Sequence, residues 1–389
     1  MSKPKVLFYV QHLLGIGHLK RATTLARAMT EAGLQVTVVS GGEYVPVIDD
    51  SGMEFVQLPA IRAEDRTFKT LVNMKGAQLS DALKQKRRNK LLNLFNKICP
   101  EILMIELFPF GRRQLEFEVL PLLDTANGAD KRPIIVSSVR DILVEKNNSS
   151  READMVKKAK AYFDYIHVHG DPNLIAFEET FPMASELRHM LHYTGYVVER
   201  ESFIHPQKQI GLGEVIVSSG SGAVGELLLR SALRIRRFTY LSEVKWRLLA
   251  GHYMPEEVFE SIRESADKGV MVERARPDFI SLLQNCRLSI SQGGYNTVME
   301  VLATGANGIA VPYAGGQETE QTLRVKLMEK RGLIRQIPEG QLSDKILIEA
   351  VNRTQNQTRN KNFKINMDGA FASANLVATW ANELKDSYA

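Results

Sequence analysis

The chain has 389 residues, 44% of them hydrophobic, with a formal net charge of +5 at pH 7 and a sequence pI of about 9.0. This length favours two or three domains, and the hydrophobic content is enough for a sizeable core. No apolar run approaches the roughly 20 residues that a membrane-spanning helix needs, and no signal-peptide pattern precedes the first strand. We therefore expect a cytoplasmic protein. The mild basicity is compatible with anionic ligands, with an anionic membrane surface and with ordinary enzymes, and no nucleic-acid-binding motif is present.

Nothing in the pattern of metal-ligating residues indicates a metal site. Cys99 and Cys286 lie far apart in apolar contexts, which predicts buried thiols rather than a disulfide or a metal site. His167 and His169 alternate with apolar residues, and a metal shared between them would need a third ligand that is not evident nearby. We interpret them as strand residues. No Asp-x-Asp metal motif occurs, and we predict neither a metal nor a bound cofactor.

The chain opens with a strand, a glycine-containing loop, a helix and a second strand. We predict strands at Lys5–Val10 and Gln35–Ser40 and a helix at Leu19–Ala32. This order is typical of a Rossmann-type domain. The intervening G-x-G lacks the full dinucleotide fingerprint, which argues against NAD.

His18 stands at the predicted start of that first helix. A neutral imidazole has a pKa near working pH and can remove a proton from a hydroxyl group. The positive end of the helix favours the neutral, basic form. The alternative is a polar helix-start residue without a functional role.

Later strands of the first half end in polar residues. The strand Glu101–Glu106 ends in a carboxylate that either acts in a site or caps the next segment. Arg140 and Asp141 follow the strand Pro133–Ser138, at the same expected sheet edge, where they either touch a substrate or form an internal ion pair.

A polar, basic segment from Arg62 to Asn96 separates these strands. It has two interpretations, an acceptor-binding or membrane-surface helix and an ordinary solvated helix face. Its basic cluster consists of Lys84, Lys86, Arg87, Arg88 and Lys90.

The second half begins after a linker with mixed charge and no periodicity. The strand Glu214–Ser218 leads into the loop Ser219–Gly225, which contains Gly220, Ser221 and Gly222. A glycine-rich turn before a helix can hold a diphosphate through backbone N–H groups. The loop lacks the Lys-Ser/Thr of a P-loop, so ATP hydrolysis is unsupported.

Two consecutive strand–glycine–helix units occupy Ser289–Gly332. Each places a glycine loop and a helix start at the carboxyl end of a strand, where open α/β sheets bind ligands. In the first unit Gly294 precedes Asn296 and Thr297, and Glu300 lies one helical turn further, where its carboxylate can accept from ribose hydroxyls. In the second unit a cluster rich in donors and acceptors suits sugar hydroxyls. Its members are Gln317, Glu318, Thr319, Glu320 and Gln321.

These features also have a purely structural explanation. The glycines would then serve turn geometry, and Asn296, Thr297 and Glu318 would be helix caps.

The series G-G-Y-N-T-V-x-E-V-L-x-x-G … V-P-Y-x-G-G-Q-E-x-E-Q resembles the C-terminal half of MurG-type glycosyltransferases. More broadly the chain is similar to the inverting GT-B glycosyltransferases, and His192–Val197 resembles the T-G-x-x-V segment that closes the first domain of MurG-type proteins. The similarity covers most of the chain. It is strongest from Val270 to Gly332 and weak from Arg62 to Pro100.

The resemblance implies an α/β fold of two Rossmann-like, doubly wound domains facing a cleft. We expect an acceptor-side domain over 1–200, a linker over 201–212, a nucleotide-sugar domain over 213–366, and a C-terminal helix over 367–389 that packs on the first domain.

The resemblance also implies roles for individual residues. The diphosphate would lie on the Gly220–Gly225 loop and on the helix starting near Asn296, and Glu300 would hold the ribose. Ala275 matches the position that holds uracil by backbone bonds, although Arg274 replaces an apolar residue there. Donor-sugar contacts are implied for Gln317, Glu318, Glu320 and Gln321, with Glu320 and Gln321 matching a paired Gln of the family.

In the first domain the resemblance makes His18 the catalytic base or a substrate contact. Glu106 matches the acid that orients this histidine in plant-type members of the superfamily. The implied reaction is an inverting, metal-independent transfer of a hexose or N-acetylhexosamine from a UDP-sugar to an acceptor hydroxyl. The implied acceptor is a lipid-linked compound, a saccharide or a small molecule. The resemblance also implies that the protein makes peripheral contact with the inner face of the membrane. The alternatives are a nucleotide-sugar 2-epimerase and a non-catalytic binding or scaffold protein.

Overall fold

The structure is a computed structural model that divides into two compact units. Unit 1 comprises 1–197 and 365–389, and unit 2 comprises 198–364. The structure describes residues 3–13, 15–45, 52–65, 70–143, 149–199, 209–220, 225–314, 320–357 and 363–387.

Within those ranges, unit 1 contains a seven-stranded, all-parallel sheet in the order β3-β2-β1-β6-β7-β8-β9 and a small antiparallel hairpin, β4–β5. The strands are β1 Lys5–Val10, β2 Gln35–Ser40, β3 Glu54–Gln57, β4 Ile61–Ala63, β5 Leu71–Asn73, β6 Ile102–Glu106, β7 Ile134–Arg140, β8 Tyr165–His169 and β9 Leu191–Tyr193. The central strands are buried on both faces, as their continuous apolar runs predict.

Helices cover both faces of this sheet. The α-helices of unit 1 are α1 Gly17–Glu31, α2 Asp81–Ile98, α3 Glu116–Asn127, α4 Ser149–Tyr162 and α11 Gly369–Ser387. The last helix packs beside α1 on one face, where Trp380 stacks on Tyr165 with ring centroids 3.9 Å apart. α2 and α3 pack on the opposite face.

The basic cluster of the first half lies in α2, but its Arg87 side chain is fully buried. The guanidinium donates to Glu118 Oε2 at 2.9 Å and Oε1 at 2.6 Å, to the Gly41 carbonyl and to Gln11 Oε1. Glu118 Oε1 also accepts the Tyr9 hydroxyl at 2.6 Å. A solvated helix face is therefore the wrong description for Arg87, which joins α2 to α3 and to the ends of β1 and β2.

The prediction that both cysteines are buried is wrong for Cys99, and Cys286 is only half-buried. Cys99 ends α2 in the left-handed conformation, with φ of 47°, and its side chain is exposed. The chain reverses direction there to enter β6, so an apolar sequence context does not lead to burial.

In the described part of unit 2, six parallel strands form a sheet in the order β12-β11-β10-β13-β14-β15. The strands are β10 Val215–Ser218, β11 Trp246–Ala250, β12 Val270–Arg274, β13 Leu288–Ser291, β14 Gly308–Ala310 and β15 Arg335–Gln336. The helices are α5 Glu226–Ile235, α6 Glu256–Glu264, α7 Phe279–Asn285, α8 Tyr295–Thr304, α9 Glu320–Lys330 and α10 Asp344–Thr354.

Each sheet has one point at which the strand order reverses. In unit 1 the order runs from β1 outward through β2 to β3 and then returns to β6 on the other side of β1. In unit 2 the corresponding pair is β10 and β13. Ligands of open α/β sheets bind at such points, outside the carboxyl ends of the strands. The site residues predicted from the sequence are therefore expected at these two edges.

No helix in the described ranges is both long and apolar enough to cross a membrane.

Candidate active site

In unit 1 the strand-order reversal brings His18 and Glu106 together. His18 lies in the first turn of α1, which follows β1, and Glu106 is the last residue of β6. His18 Nδ1 is 2.9 Å from Glu106 Oε1. The His18 side chain is 13% exposed and that of Glu106 only 1%, so the carboxylate lies beneath the imidazole.

The Glu106 carboxylate receives two further donors. Arg21, one turn along α1 from His18, donates to Oε1. Ser138, the register partner of Glu106 on β7, donates its hydroxyl to Oε2 at 2.6 Å. Burial by itself raises the pKa of Glu106, but Arg21 and the hydrogen bonds from His18 and Ser138 outweigh it and hold the pKa well below its usual value. Glu106 is therefore ionised.

An ionised Glu106 assigns the tautomer of His18. A carboxylate can only accept hydrogen bonds, so His18 carries its proton on Nδ1 and presents a lone pair on Nε2. Burial, and next the Arg140 guanidinium, hold the pKa of His18 well below its usual value, against the opposing effect of Glu106. The imidazole is therefore neutral at neutral pH, which is the form that a general base requires.

Beneath Glu106 a chain of buried polar groups continues to β8. Since Ser138 donates to Glu106, its oxygen accepts from Nε2 of His169 at 3.0 Å. His169 Nδ1 then accepts from the Thr194 hydroxyl at 2.8 Å. Burial, and next Arg21, lower the pKa of His169 to about 3, so its imidazole is neutral. His169 therefore supports Glu106 by hydrogen bonding.

The other strand-end residues of unit 1 divide into two groups. Asp141 accepts a hydrogen bond from Tyr196 at 2.8 Å and is buried, which gives it a structural contact. Arg140 turns to the site instead, with Nη2 3.3 Å from His18 Nε2. Arg112 approaches from the loop after β6, where its Nε donates to the Gln11 carbonyl at 3.1 Å.

In unit 2 two glycine loops begin at the strand-order reversal. Ser218 and Ser291, the last residues of β10 and β13, are register partners, so the two loops start from neighbouring strand ends. Gly220 has φ of +71°, and its N–H donates to Ser218 Oγ at 3.2 Å. Gly225 begins α5 with φ of +106°, and a Cβ there would meet Ser219 Cβ at 2.4 Å, so only glycine fits. Ser221 and Gly222 lie outside the described residues.

The second loop leads into α8. Gly294 is the residue before its first turn and supplies no capping side chain. Asn296 and Thr297 lie half-buried in that turn, and Glu300 lies one turn further with its residue 4% exposed. The carboxylate of Glu300 is therefore enclosed near the helix start.

Two predicted donor-sugar residues make contacts inside unit 2. Glu320 Oε1 accepts from Arg324 Nη2 at 2.6 Å, and both side chains are buried. Gln321 Oε1 accepts from the Tyr313 N–H at 3.2 Å and so holds the loop after β14. Gln317 and Glu318 lie outside the described residues.

The predicted base-binding position has a structural contact as well. The Ala275 N–H donates to the Ala250 carbonyl at 2.7 Å, so this N–H cannot also hold a base. Arg274 folds back over the Phe259 ring, 4.1 Å from its centroid, and donates to the carbonyls of Gly251 and Met254. The arginine that departs from the family pattern therefore stabilises the loop after β11.

Residues that come together from different helices and strands were the hardest to predict from the sequence. Arg21, Ser138 and His169 carry the buried network around Glu106, and none has a local motif. The available signals were the spacing of Arg21 three positions after His18 and the position of Ser138 at the end of the next strand.

Residues 232–379 match the model of the glycosyltransferase family 28 C-terminal domain. A UDP-N-acetylglucosamine–N-acetylmuramyl-(pentapeptide) pyrophosphoryl-undecaprenol N-acetylglucosamine transferase from Sphingopyxis alaskensis is 26% identical over 330 residues, which are 82% of this chain and 75% of that protein. Among solved structures, the calicheamicin glycosyltransferase CalG4 superimposes with a TM-score of 0.63 at 16% identity, covering 99% of this chain and 98% of that one. MurG from Acinetobacter baumannii has a TM-score of 0.56 at 13% identity, covering 98% and 99%. The fold is that of the GT-B glycosyltransferases, as predicted.

Proposed function

We propose that this chain is a MurG-like glycosyltransferase that transfers a hexose or N-acetylhexosamine from a UDP-sugar to an acceptor hydroxyl, with inversion. The observation that carries this proposal is the His18–Glu106 pair at the strand-order reversal of unit 1. A neutral, oriented imidazole backed by an ionised carboxylate is the arrangement that activates a hydroxyl nucleophile.

In the proposed step, His18 Nε2 takes the proton of the acceptor hydroxyl while its oxygen attacks the anomeric carbon. A new C–O glycosidic bond forms as the bond between the anomeric carbon and the diphosphate oxygen breaks, and UDP leaves with that electron pair. The imidazolium that results is stabilised by Glu106 through Nδ1–H. One displacement at the anomeric carbon inverts its configuration.

The donor is proposed to bind in unit 2. The Gly220 loop, with Ser221 and Gly222, and the start of α8 at Gly294, Asn296 and Thr297 would hold the diphosphate. The adjacency of the strand ends from which these two loops start supports this proposal. Glu300 would hold the ribose, and the Ala275 segment would contact the base through groups other than its engaged N–H. The donor sugar would contact Gln317, Glu318, Glu320 and Gln321.

We propose that no metal or other cofactor takes part, because helix N-termini and backbone N–H groups can stabilise the leaving diphosphate. In the described residues no group of three His, Cys, Asp or Glu side chains is placed to hold a metal ion. Unchanged turnover in EDTA after dialysis supports the proposal. Loss of turnover that added Mg²⁺ or Mn²⁺ restores contradicts it.

The acceptor is proposed to be lipid-linked, a saccharide or a small molecule, in cell-surface polysaccharide or glycolipid synthesis. The name of the Sphingopyxis relative specifies a pyrophosphoryl-undecaprenol acceptor, which makes a cytoplasmic location with peripheral contact at the inner face of the membrane the corresponding proposal.

The proposed donor is tested by thermal-shift binding against a panel of nucleotides and nucleotide sugars. A ligand present at about 100 times its Kd should stabilise the protein by about 2.7 kcal/mol. We expect stabilisation by UDP and a UDP-sugar that is lost in Glu300→Ala but kept in the exposed control Glu264→Ala. Stabilisation by another nucleotide alone overturns the UDP assignment, and no stabilisation by any ligand favours a scaffold protein.

Product analysis with UDP-N-acetylglucosamine and no acceptor separates transfer from 2-epimerisation. A transferase hydrolyses the donor slowly and releases UDP with N-acetylglucosamine. Release of UDP with N-acetylmannosamine would instead identify an epimerase.

A further inference from the structure

Three arginines approach the His18–Glu106 pair from three elements. Arg21 comes from α1, Arg112 from the loop after β6, and Arg140 from the end of β7. Arg21 is the innermost, with its side chain 2% exposed and paired with Glu106. Arg112 and Arg140 are half-buried and lie further out, at the carboxyl edge of the sheet. The two outer guanidiniums are therefore the ones that a ligand at this edge meets first.

Arg140 contacts His18 Nε2, the nitrogen that takes the acceptor proton in the proposed reaction. Its Nη2 lies 3.3 Å from His18 Nε2, and a guanidinium can only donate, so Nε2 is the acceptor in this contact. An acceptor hydroxyl must give its proton to the same lone pair. The hydroxyl and Arg140 cannot both use Nε2, so a productive acceptor has to draw the guanidinium aside.

Arg112 is also held close to His18, in an unfavourable backbone conformation. It adopts a left-handed backbone, with φ of 61°, which is uncommon for residues other than glycine. Its Nε is anchored on the Gln11 carbonyl at the end of β1. Burial, and next the positive charge of Arg140, lower the pKa of Arg112 to about 10. Strained backbone that positions a charged side chain next to a like charge is a pattern found at ligand sites.

We propose that Arg112 and Arg140 form a subsite for an anionic group of the acceptor, a phosphate or a carboxylate, and that its binding draws Arg140 away from His18 Nε2. Guanidinium pairs bind both anions through bidentate hydrogen bonds. The inference rests on the proposed function, because it assigns the acceptor to His18. It defines that acceptor as a hydroxyl compound with an anionic group close to the reacting oxygen.

The charged groups around His18 determine whether anion binding raises or lowers the pKa of His18. Glu106 on β6 raises the pKa of His18, whereas Arg140 on β7 and Arg112 in the loop after β6 lower it. An anion that neutralises Arg112 and Arg140 should therefore raise the pKa of His18. The Arg140→Gln substitution should also raise it in the absence of any ligand.

The test uses the full chain with ¹³C-labelled histidine, followed by NMR, with the His18 signal assigned by its loss in His18→Gln. The protein is titrated with glucose 1-phosphate, with glucuronate and with neutral glucose. The variants are Arg112→Gln, Arg140→Gln, Arg140→Lys and the double Arg112→Gln/Arg140→Gln. Arg113→Gln, an exposed neighbour in the chain, is the matched control.

We expect a saturable shift of the His18 signal and a higher His18 pKa with one or both anionic sugars. The Kd should rise at least tenfold in the double variant and stay unchanged in Arg113→Gln. A response to glucose 1-phosphate alone identifies a phosphate subsite, and a response to both sugars identifies a general anion subsite. Arg140→Lys keeps the charge and should retain weaker binding, which gives a readout if Arg140→Gln does not fold.

The proposal is overturned by an equal response to neutral glucose, by full anion binding in the double variant, or by no saturable response to either anion. Its failure is distinct from failure of the proposed function. UDP-sugar stabilisation, which depends on unit 2, should persist in Arg112→Gln/Arg140→Gln. A wild-type protein that is stabilised by a UDP-sugar but gives no saturable response to either anion therefore rejects only the subsite.

Discussion

His18 Nδ1 lies 2.9 Å from Glu106 Oε1, although 88 positions separate the two residues in the chain. The contact forms because β1 and β6 are neighbouring parallel strands whose carboxyl ends meet at one edge of the sheet. The same carboxylate binds Arg21 and Ser138, so the orientation of His18 depends on α1, β6 and β7 together.

Glu106→Gln should reduce turnover strongly while donor binding is unchanged. The amide keeps the shape of the side chain but cannot stabilise the imidazolium or fix the tautomer of His18. We expect kcat to fall by about 10²–10⁴-fold. Steady-state kinetics with UDP-sugar binding measured in parallel checks this, with the exposed Glu186→Gln as control. Wild-type kcat in a folded Glu106→Gln would remove Glu106 from the mechanism.

In a plot of activity against pH, the acidic limb, where activity falls, should lie well below pH 6.5. Burial, and next Arg140, keep His18 neutral to lower pH than a free imidazole, and the base works only when neutral. Activity should therefore stay constant as the pH falls through about 6.5, the usual histidine value. In Arg140→Gln the pKa of His18 rises, so the limb should move to higher pH. A limb near pH 6.5 in the wild type that Arg140→Gln leaves in place would contradict this account.

The fold and the position of the candidate site could be predicted from local signals. The predicted strands Lys5–Val10 and Gln35–Ser40 have the same bounds as β1 and β2, because buried parallel strands are largely apolar on both faces. Glycines after strands marked the loops at both sheet edges. His18 and Glu106 could be paired because each follows or ends such a strand.

The network around that pair could not be predicted, because it depends on strand order and side-chain direction. Ser138 contacts Glu106 only because β6 and β7 are neighbours in register. His169 has the pattern of an ordinary strand residue, and its contact with Ser138 requires β8 beside β7. Arg87 lies in a run of basic residues that resembles a solvated helix, and only tertiary packing places Glu118 opposite it.

Arg87→Met should destabilise unit 1 substantially. Both Arg87 and Glu118 have fully buried side chains, and removing the cation leaves an uncompensated buried carboxylate. We expect a loss of about 3–5 kcal/mol in the free energy of unfolding. Urea-induced unfolding measures it, with the exposed Lys86→Met on the same helix changing it by less than about 0.5 kcal/mol. The double variant Arg87→Met/Glu118→Leu should recover much of the loss. Equal stability of Arg87→Met and Lys86→Met would show that the pair contributes nothing.

The free energy of unfolding should fall as the pH drops below about 6.5. Burial, and next His169, hold the pKa of His167 well below its usual value, and burial, and next Arg21, lower that of His169 to about 3. Below about pH 6.5 the unfolded chain therefore binds protons that the folded chain does not. Each of the two imidazoles then lowers the free energy of unfolding by up to about 1.4 kcal/mol per pH unit. Urea unfolding between about pH 7.5 and 5.5 should show this slope, and the exposed His189→Gln should leave it unchanged. A stability independent of pH across that range would contradict the neutral, buried state of these histidines.

The most direct test of the central claim follows the released sugar when the enzyme turns over a UDP-sugar with water as the acceptor. Because UDP-glucose and UDP-N-acetylglucosamine are α-linked, a direct displacement with His18 as the base should release the β-anomer first. The NMR signal of the fresh product should show the β-anomer and UDP in equal amounts, and the rate should fall by about 10²–10⁴-fold in His18→Gln. His189→Gln should behave as the wild type. Release of the α-anomer, or an unchanged rate in a folded His18→Gln that still binds UDP, would contradict inverting transfer with His18 as the base.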